Sequence, residues 1–111
     1  MDRPAFITGS HAYGTPTADS DIDLVILVEP HQVSRLMELS GIRWGEGSTT
    51  GYEHACVSAK FDRLNLLICW TELQYDVWRQ GTDELKEDRP VTREQAVEKF
   101  KELRVASGLK E

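Results

Sequence analysis

The feature that most constrains the fold is an Asp-x-Asp at the head of an apolar run, in the segment DIDLVILV from Asp21 to Val28. The second half of this run is continuously apolar and rich in β-branched residues, which is typical of a central strand covered on both faces. Asp is a poor strand former and two like charges repel each other, so the pair needs a compensating partner. The segment therefore predicts a buried strand whose first residues can bind cations.

Asp21 and Asp23 stand two residues apart, so on a strand their side chains leave the same face. Their Cα atoms are then about 7 Å apart, at a rise of roughly 3.3 Å per residue. Two carboxylates on one face can hold divalent cations, and two such cations clamp the attacking and leaving oxygens of a phosphoryl transfer. The structural alternative is that Asp21 caps the strand and Asp23 pairs with a buried Arg.

A Gly-Ser pair, Gly9-Ser10, follows the short apolar segment Ala5–Thr8, which we predict to be a strand. Glycine lets the backbone approach a ligand closely, and free backbone N–H groups together with a Ser hydroxyl bind phosphate oxygens. A phosphate-binding turn beside a metal-binding pair suits a nucleoside triphosphate. Asp19, in the intervening TPTADSD, is either a further acid of this site or part of a turn.

The rest of the chain predicts two further strands and three helices. A helix begins at Pro30, and the glycine-rich segment 41–51 is a flexible loop or an irregular hairpin. Strands at 52–61 and 64–70 are joined by a turn at Asp62-Arg63. Thr71 caps a helix, with Leu73 among the residues facing the sheet, and a capping box at Thr92 begins a last helix that ends near 108.

Length and charge limit the function. At 111 residues we predict one domain, 1–111, with no room for a separate substrate-binding domain. A net charge of −6 without a basic arm argues against extensive nucleic-acid contact, although a nucleotide held through metal ions is compatible. The longest apolar run is far too short for a bilayer, and MDRPAF is not a signal-peptide pattern, so we expect a cytoplasmic protein. Cys56 and Cys69 are expected to be buried free thiols.

Gly9-Ser10, a spacer of ten residues and Asp21-Ile22-Asp23 followed by apolar residues resemble the signature of the nucleotidyltransferase superfamily, which has the polymerase-β-like fold. Within this superfamily, the small stand-alone members of bacteria and their phages are the ones to which the segment GSHAYGTPTADSDIDLVIL is similar. The resemblance implies an α+β minimal nucleotidyltransferase fold with a mixed β-sheet of about four to five strands packed against helices.

The same resemblance implies that Asp21 and Asp23 bind Mg²⁺ or Mn²⁺ and take part in catalysis on a nucleoside triphosphate. The candidates for nucleotide binding are Gly9, Ser10, His11 and Tyr13.

The family normally has a third carboxylate on a neighbouring strand, which ligates the catalytic metal and can act as base. The matching strand, RLNLLIC, has Asn65 at its polar position, and an amide is a weaker ligand that cannot take the proton. Glu53 and Asp62 are the acids considered as replacements. Other residues with a possible ligand role are His54, Arg43 and Trp44, the last two as a cover for a bound base.

Two classes of function follow. The first is a Mg²⁺-dependent nucleotidyltransferase that moves a nucleoside monophosphate from an NTP to a hydroxyl acceptor. The second is a protein of the same fold with little or no activity, which binds and regulates a protein partner as an antitoxin or as a phage inhibitor of a host enzyme. The Gly-Ser and Asp-x-Asp signature favours the first, which is the preferred interpretation, whereas Asn65, the small size and the acidic charge favour the second.

Overall fold

A computed structural model of the chain describes residues 3–36, 43–46 and 57–108, with the backbone alone described at 33, 34, 36, 43–46 and 57–61. The elements, in chain order, are β1 (Phe6–Thr8), α1 (Ser10–Tyr13), β2 (Ile22–Leu27), α2 (Pro30–Leu36), β3 (Arg43–Glu46), β4 (Val57–Phe61), β5 (Leu64–Cys69), α3 (Glu72–Glu87) and α4 (Arg93–Ser107).

The strands form one mixed sheet in the order β1-β2-β5-β4-β3. β2 and β5 are parallel, and the other neighbours are antiparallel. The prediction of an α+β fold with a mixed sheet of four to five strands is confirmed. The expectation of a flexible loop is wrong for residues 43–46, which pair with β4, while the alternative of an irregular hairpin is compatible with that pairing.

The core lies between one face of the sheet and the helices. Val25 and Leu27 on β2 alternate onto the same face as Leu67 and Cys69 on β5, and all four are buried. The helices cover this face, chiefly through α3, whose Trp78 is 1% exposed. Cys69 is a buried free thiol, as predicted, whereas Cys56 lies outside the described residues.

Both long helices begin at the predicted caps. The Thr71 hydroxyl accepts from the Gln74 amide and the Gln74 side chain accepts from the Thr71 amide, and Thr92 and Gln95 repeat the arrangement in α4. These reciprocal bonds satisfy N–H groups that the first turn of a helix leaves without partners. The expectation that Leu73 faces the sheet is wrong: it is 45% exposed, because the first turn of α3 directs this position outward.

Gly81, in the interior of α3, marks the close approach of α4. A Cβ built on Gly81 would lie 2.8 Å from Cδ1 of Phe100, so only a residue without a side chain fits against this ring. At the edge of the same contact Lys99 Nζ lies 3.0 Å from Glu84 Oε1. Hydrogen bonds from Gln80 and then from Lys99 lower the pKa of the Glu84 carboxyl. Gly81 therefore weakens the helix locally and is required by its packing.

A pair of buried hydroxyls links α3 to the end of β1. Thr82 Oγ1 donates its one proton to the Trp78 carbonyl over 2.7 Å. Thr8 must then be the donor in its 2.7 Å bond to Thr82, since the Thr82 hydroxyl retains only acceptor capacity. Both side chains are almost fully buried, so the bond fixes the last residue of β1 against the helix layer.

Candidate functional site

Three neighbouring strands bring one polar residue each to the same row of the sheet. In the backbone register Thr8 of β1 is paired with Asp23 of β2, and Asp23 with Asn65 of β5. Residues directly opposite each other on neighbouring strands share a face, and this is the face that the helices cover. Asp23 and Asn65 are half-buried, which places them at the margin of the core.

The Gly-Ser turn (Gly9–Ser10) lies directly against the carboxylate of Asp23. Gly9 has φ 74° and ψ −160°, a conformation that residues with a side chain almost never adopt. A Cβ built there would overlap Asp23 Oδ2 and lie 3.0 Å from Asp23 Cγ. The glycine is thus required twice, by the backbone turn and by the proximity of the carboxylate.

The turn also directs polar groups toward this space. The amides of Ala12 and Tyr13 donate to the Gly9 carbonyl over 2.9 and 3.1 Å and close the single turn α1. The amides of Ser10 and His11 come first in that turn, where helical geometry provides no carbonyl partner. Together with the half-buried Ser10 hydroxyl they form a set of donors suited to phosphate oxygens.

Asn65 contacts one member of the acid pair, Asp23, directly. Its Nδ2 donates to Asp23 Oδ1 over 3.2 Å, so the amide orients the carboxylate in the place where the family resemblance implied a third acid. Within the described residues, no group of three His, Cys, Asp or Glu side chains is arranged to hold a metal ion. The donor set is therefore two carboxylates and one neutral amide.

Asp21 directly precedes the first residue of β2, and two side chains bind the carbonyl of the residue before it. The carbonyl of the preceding residue, Ser20, accepts from His11 Nε2 over 3.4 Å and from Arg63 Nη2 over 3.3 Å. Arg63 is held at this level because its own carbonyl accepts from the amide of Ile22 over 2.7 Å. His11 and Arg63 thus both contact the segment that leads into the acid pair.

The remaining candidates separate into three groups. Tyr13 is buried and packs on Phe100 at 6.5 Å between ring centroids, so its ring belongs to the core and not to the surface of the site. Asp19 is exposed in the turn that Thr17 and Ser20 close, and Asp62 is exposed with φ 56° between β4 and β5. The other candidates, Glu53 and His54, lie outside the described residues, as do the side chains of Arg43 and Trp44.

Arg63 is the residue of this region that sequence reasoning missed. The sequence predicts only a turn at Asp62-Arg63, because nothing in this pair indicates which strand end lies beside it. The signal was the strand pairing itself: once RLNLLIC is aligned with DIDLVIL in parallel, Asn65 meets Asp23 and Arg63 comes level with Asp21.

Comparisons with known proteins agree with this geometry. The family model described as "Nucleotidyltransferase domain" matches residues 2–103, which includes every described strand and most of α4. No match was found among curated proteins or among solved structures. In the described part of the chain, none of the helices has the length and apolar character needed to cross a membrane.

Proposed function

The chain belongs to the nucleotidyltransferase domain family, and from this premise we propose that it transfers a nucleoside monophosphate from an NTP to a hydroxyl acceptor in a reaction that depends on Mg²⁺ or Mn²⁺. The observation that carries the proposal is the contact between the Gly-Ser turn and Asp23. It brings phosphate-binding amides and a metal-binding carboxylate to one place, as a metal-bound triphosphate requires.

The donor set fits Mg²⁺ bound together with a nucleotide. Mg²⁺ is usually held by one or two carboxylates plus substrate phosphates and water, and not by a cage made only of protein ligands. Asp21 and Asp23 would hold the metal, and Asn65 orients Asp23 by donating to its Oδ1. The metal would supply charge neutralisation at the phosphates when bound.

In the proposed reaction the acceptor oxygen forms a bond to the α-phosphorus, the bond from that phosphorus to the β-phosphate oxygen breaks, and pyrophosphate leaves. The Ser10 hydroxyl and the amides of the Gly-Ser turn hold the departing phosphates. Asn65 cannot accept a proton, so the acceptor's hydroxyl proton passes to water. The family's third carboxylate is thus the part of the mechanism that this chain replaces with a neutral group.

The direct test is label transfer. We expect purified protein with Mg²⁺ or Mn²⁺ and each α-labelled NTP to transfer label to an acceptor fraction and to release pyrophosphate in equal amount. A catalytically silent preparation that also fails to bind any NTP in the presence of the metal would refute the proposal. Transfer that persists after complete removal of divalent metal would refute its metal dependence.

Asn65 also favours a second candidate function. A site of this fold that lacks the base carboxylate can bind a nucleotide with little chemistry, and such a protein would act by binding and regulating a protein partner. An antitoxin and a phage-encoded inhibitor of a host enzyme are the forms proposed. A cytoplasmic location and a bacterial or phage origin stay predictions from the sequence.

The substitution Asn65→Asp separates the two candidates. Because Asn65 is in register with Asp23 and within hydrogen-bond distance of it, an Asp there would restore a carboxylate beside the metal-binding pair. If the chain is an impaired enzyme, we expect label transfer to rise by about tenfold or more. A well-placed general base typically contributes about a hundredfold or more, so tenfold is a conservative threshold. The measurement is the rate of pyrophosphate release at saturating NTP.

Asn65→Ser is the matched control, since it removes the amide without adding a carboxylate. Equal rates for the Asp and Ser variants would show that the missing carboxylate does not limit the reaction. In that case a protein partner captured equally by wild type and by Asn65→Asp would favour the binding function.

A further inference from the structure

We propose that Arg63 binds an anionic group on the acceptor, so that the acceptor is a hydroxyl compound that also carries a phosphate or a carboxylate. This inference rests on the proposed function and names the substrate class of the same site. Three features support this assignment: the position of Arg63 beside the beginning of β5, the unused hydrogen-bond donors of its guanidinium, and the direction from which an acceptor must approach.

The position of Arg63 is fixed by the parallel pairing of β2 with β5. Ile22 is paired with Leu64 and Asp23 with Asn65, so Asp21 and Arg63 both lie one residue before the paired segments. The bond from the Ile22 amide to the Arg63 carbonyl, 2.7 Å, holds this level. The two strand beginnings thus present an acidic pair on β2 and an arginine with an amide on β5.

The guanidinium of Arg63 has N–H groups that are not used in hydrogen bonds within the described residues. It is exposed, and its one bond within the described residues is the 3.3 Å contact from Nη2 to the Ser20 carbonyl, a neutral acceptor. By contrast, Arg3 is bound to Glu72 and Asp76, and Arg79 to Asp83. A guanidinium has five N–H groups in a planar fork, which suits two oxygens of one phosphate or carboxylate.

The direction of attack places the acceptor on the side of Arg63. In phosphoryl transfer the attacking and leaving oxygens lie roughly in line through the phosphorus. The Gly-Ser turn stands at the end of β1, on one side of Asp23, so the departing phosphates lie there. The attacking hydroxyl then comes from the opposite side, above β5, where Asn65 and Arg63 are the polar side chains described.

The charge of the surroundings makes this assignment selective. The phosphates of a bound nucleoside triphosphate and the exposed carboxylate of Asp62 would repel an anionic acceptor in the absence of a cation at this end of β5. Arg63 offsets that repulsion where the acceptor arrives. A neutral acceptor gains nothing from the guanidinium, so the preference for a charged acceptor depends on this one side chain.

The test compares acceptors that differ only in the charged group: glycerol, glycerol 3-phosphate and glycerate. We expect the wild type to favour a charged member over glycerol by about tenfold or more in kcat/KM, as charge-assisted hydrogen bonds of this kind give. Arg63→Gln should bring the ratio close to one, because it lowers kcat/KM for the charged acceptors far more than for glycerol. Arg35→Gln, on the exposed end of α2, is the control and should keep the wild-type ratio. Whether the phosphate or the carboxylate gives the larger ratio identifies the anion.

Equal kcat/KM for charged and neutral acceptors, or an Arg63→Gln variant that slows both equally, overturns the proposal. If no acceptor is used at all, the proposed function fails, and a binding measurement decides on the anion site alone. In that measurement inorganic phosphate is titrated into the protein and the side-chain Nε–H signals of arginine are followed by NMR. A saturable shift of the Arg63 signal, absent from Arg35, supports the site, and parallel shifts of both signals or of neither contradict it.

Discussion

Replacement of Asp23 by Asn is expected to lower the rate of nucleotidyl transfer by more than about a hundredfold and to leave the fold intact. Asn has nearly the same shape as Asp, so the row formed by Thr8, Asp23 and Asn65 keeps its packing. What the change removes is the negative charge that would bind the metal. The measurement is pyrophosphate release at saturating NTP, together with the affinity for NTP in the presence of Mn²⁺.

The stability of Asp23→Asn, unlike its transfer rate, should not fall. Asp21 and Asp23 are like charges two residues apart in the chain, so they repel each other when no metal is bound. Neutralising Asp23 relieves that repulsion, so we expect a thermal midpoint equal to or above that of the wild type in metal-free buffer. Loss of activity with retained or increased stability is typical of a residue selected for function and not for folding.

Asp19→Asn is the matched control for this experiment, since Asp19 is an exposed Asp of the turn that precedes β2, where its amide donates to Thr17 Oγ1. It should retain activity within about twofold, because exposed substitutions away from a site have small effects. A large loss in Asp19→Asn together with a small loss in Asp23→Asn would contradict the assignment of the acid pair and would point to the loop as the metal-binding segment.

Much of the fold followed from local chemistry in the sequence. The apolar run after Asp23 predicted β2, and the caps at Thr71 and Thr92 predicted the beginnings of α3 and α4 within a residue. These signals are short in range: an alternation, a hydroxyl three residues before an amide. They predict the elements correctly because the tertiary structure is consistent with these local preferences.

What the sequence did not predict depends on which segments meet. From the sequence alone, a glycine at position 81 predicts only a weak point of α3, because the Phe100 ring that packs against it comes from α4. The hydroxyl pair of Thr8 and Thr82 joins residues far apart in the chain, and neither residue has a distinguishing local pattern. Arg63 became a candidate only when parallel pairing brought it level with Asp21. Each of these is a long-range contact, for which a single sequence has no local signal.

The Gly-Ser turn yields the second large effect. We expect Gly9→Ala to reduce transfer by more than about a hundredfold, comparable to removal of a preorganised group that stabilises charge in a transition state. The added Cβ would overlap Asp23 Oδ2, so either the turn or the carboxylate must move, and both are needed for a metal-bound triphosphate. The backbone itself opposes the change, since φ 74° with ψ −160° is a region that costs Ala about 1–3 kcal/mol. The measurements are NTP affinity, transfer rate and the free energy of unfolding in urea.

A loss of stability alone would also lower activity, and Gly108→Ala separates the two causes. Gly108 ends α4 at φ 88°, and a Cβ built there meets no atom within 4 Å. This variant therefore carries a left-handed backbone cost of about 1–2 kcal/mol without any contact to the acid pair. If Gly108→Ala retains full transfer activity while Gly9→Ala loses it at a temperature where both are folded, the loss arises from the displaced carboxylate. If both variants lose activity in proportion to their loss of stability, then Gly9 stabilises the fold of β1 and α1, and its contact with Asp23 does not contribute to catalysis.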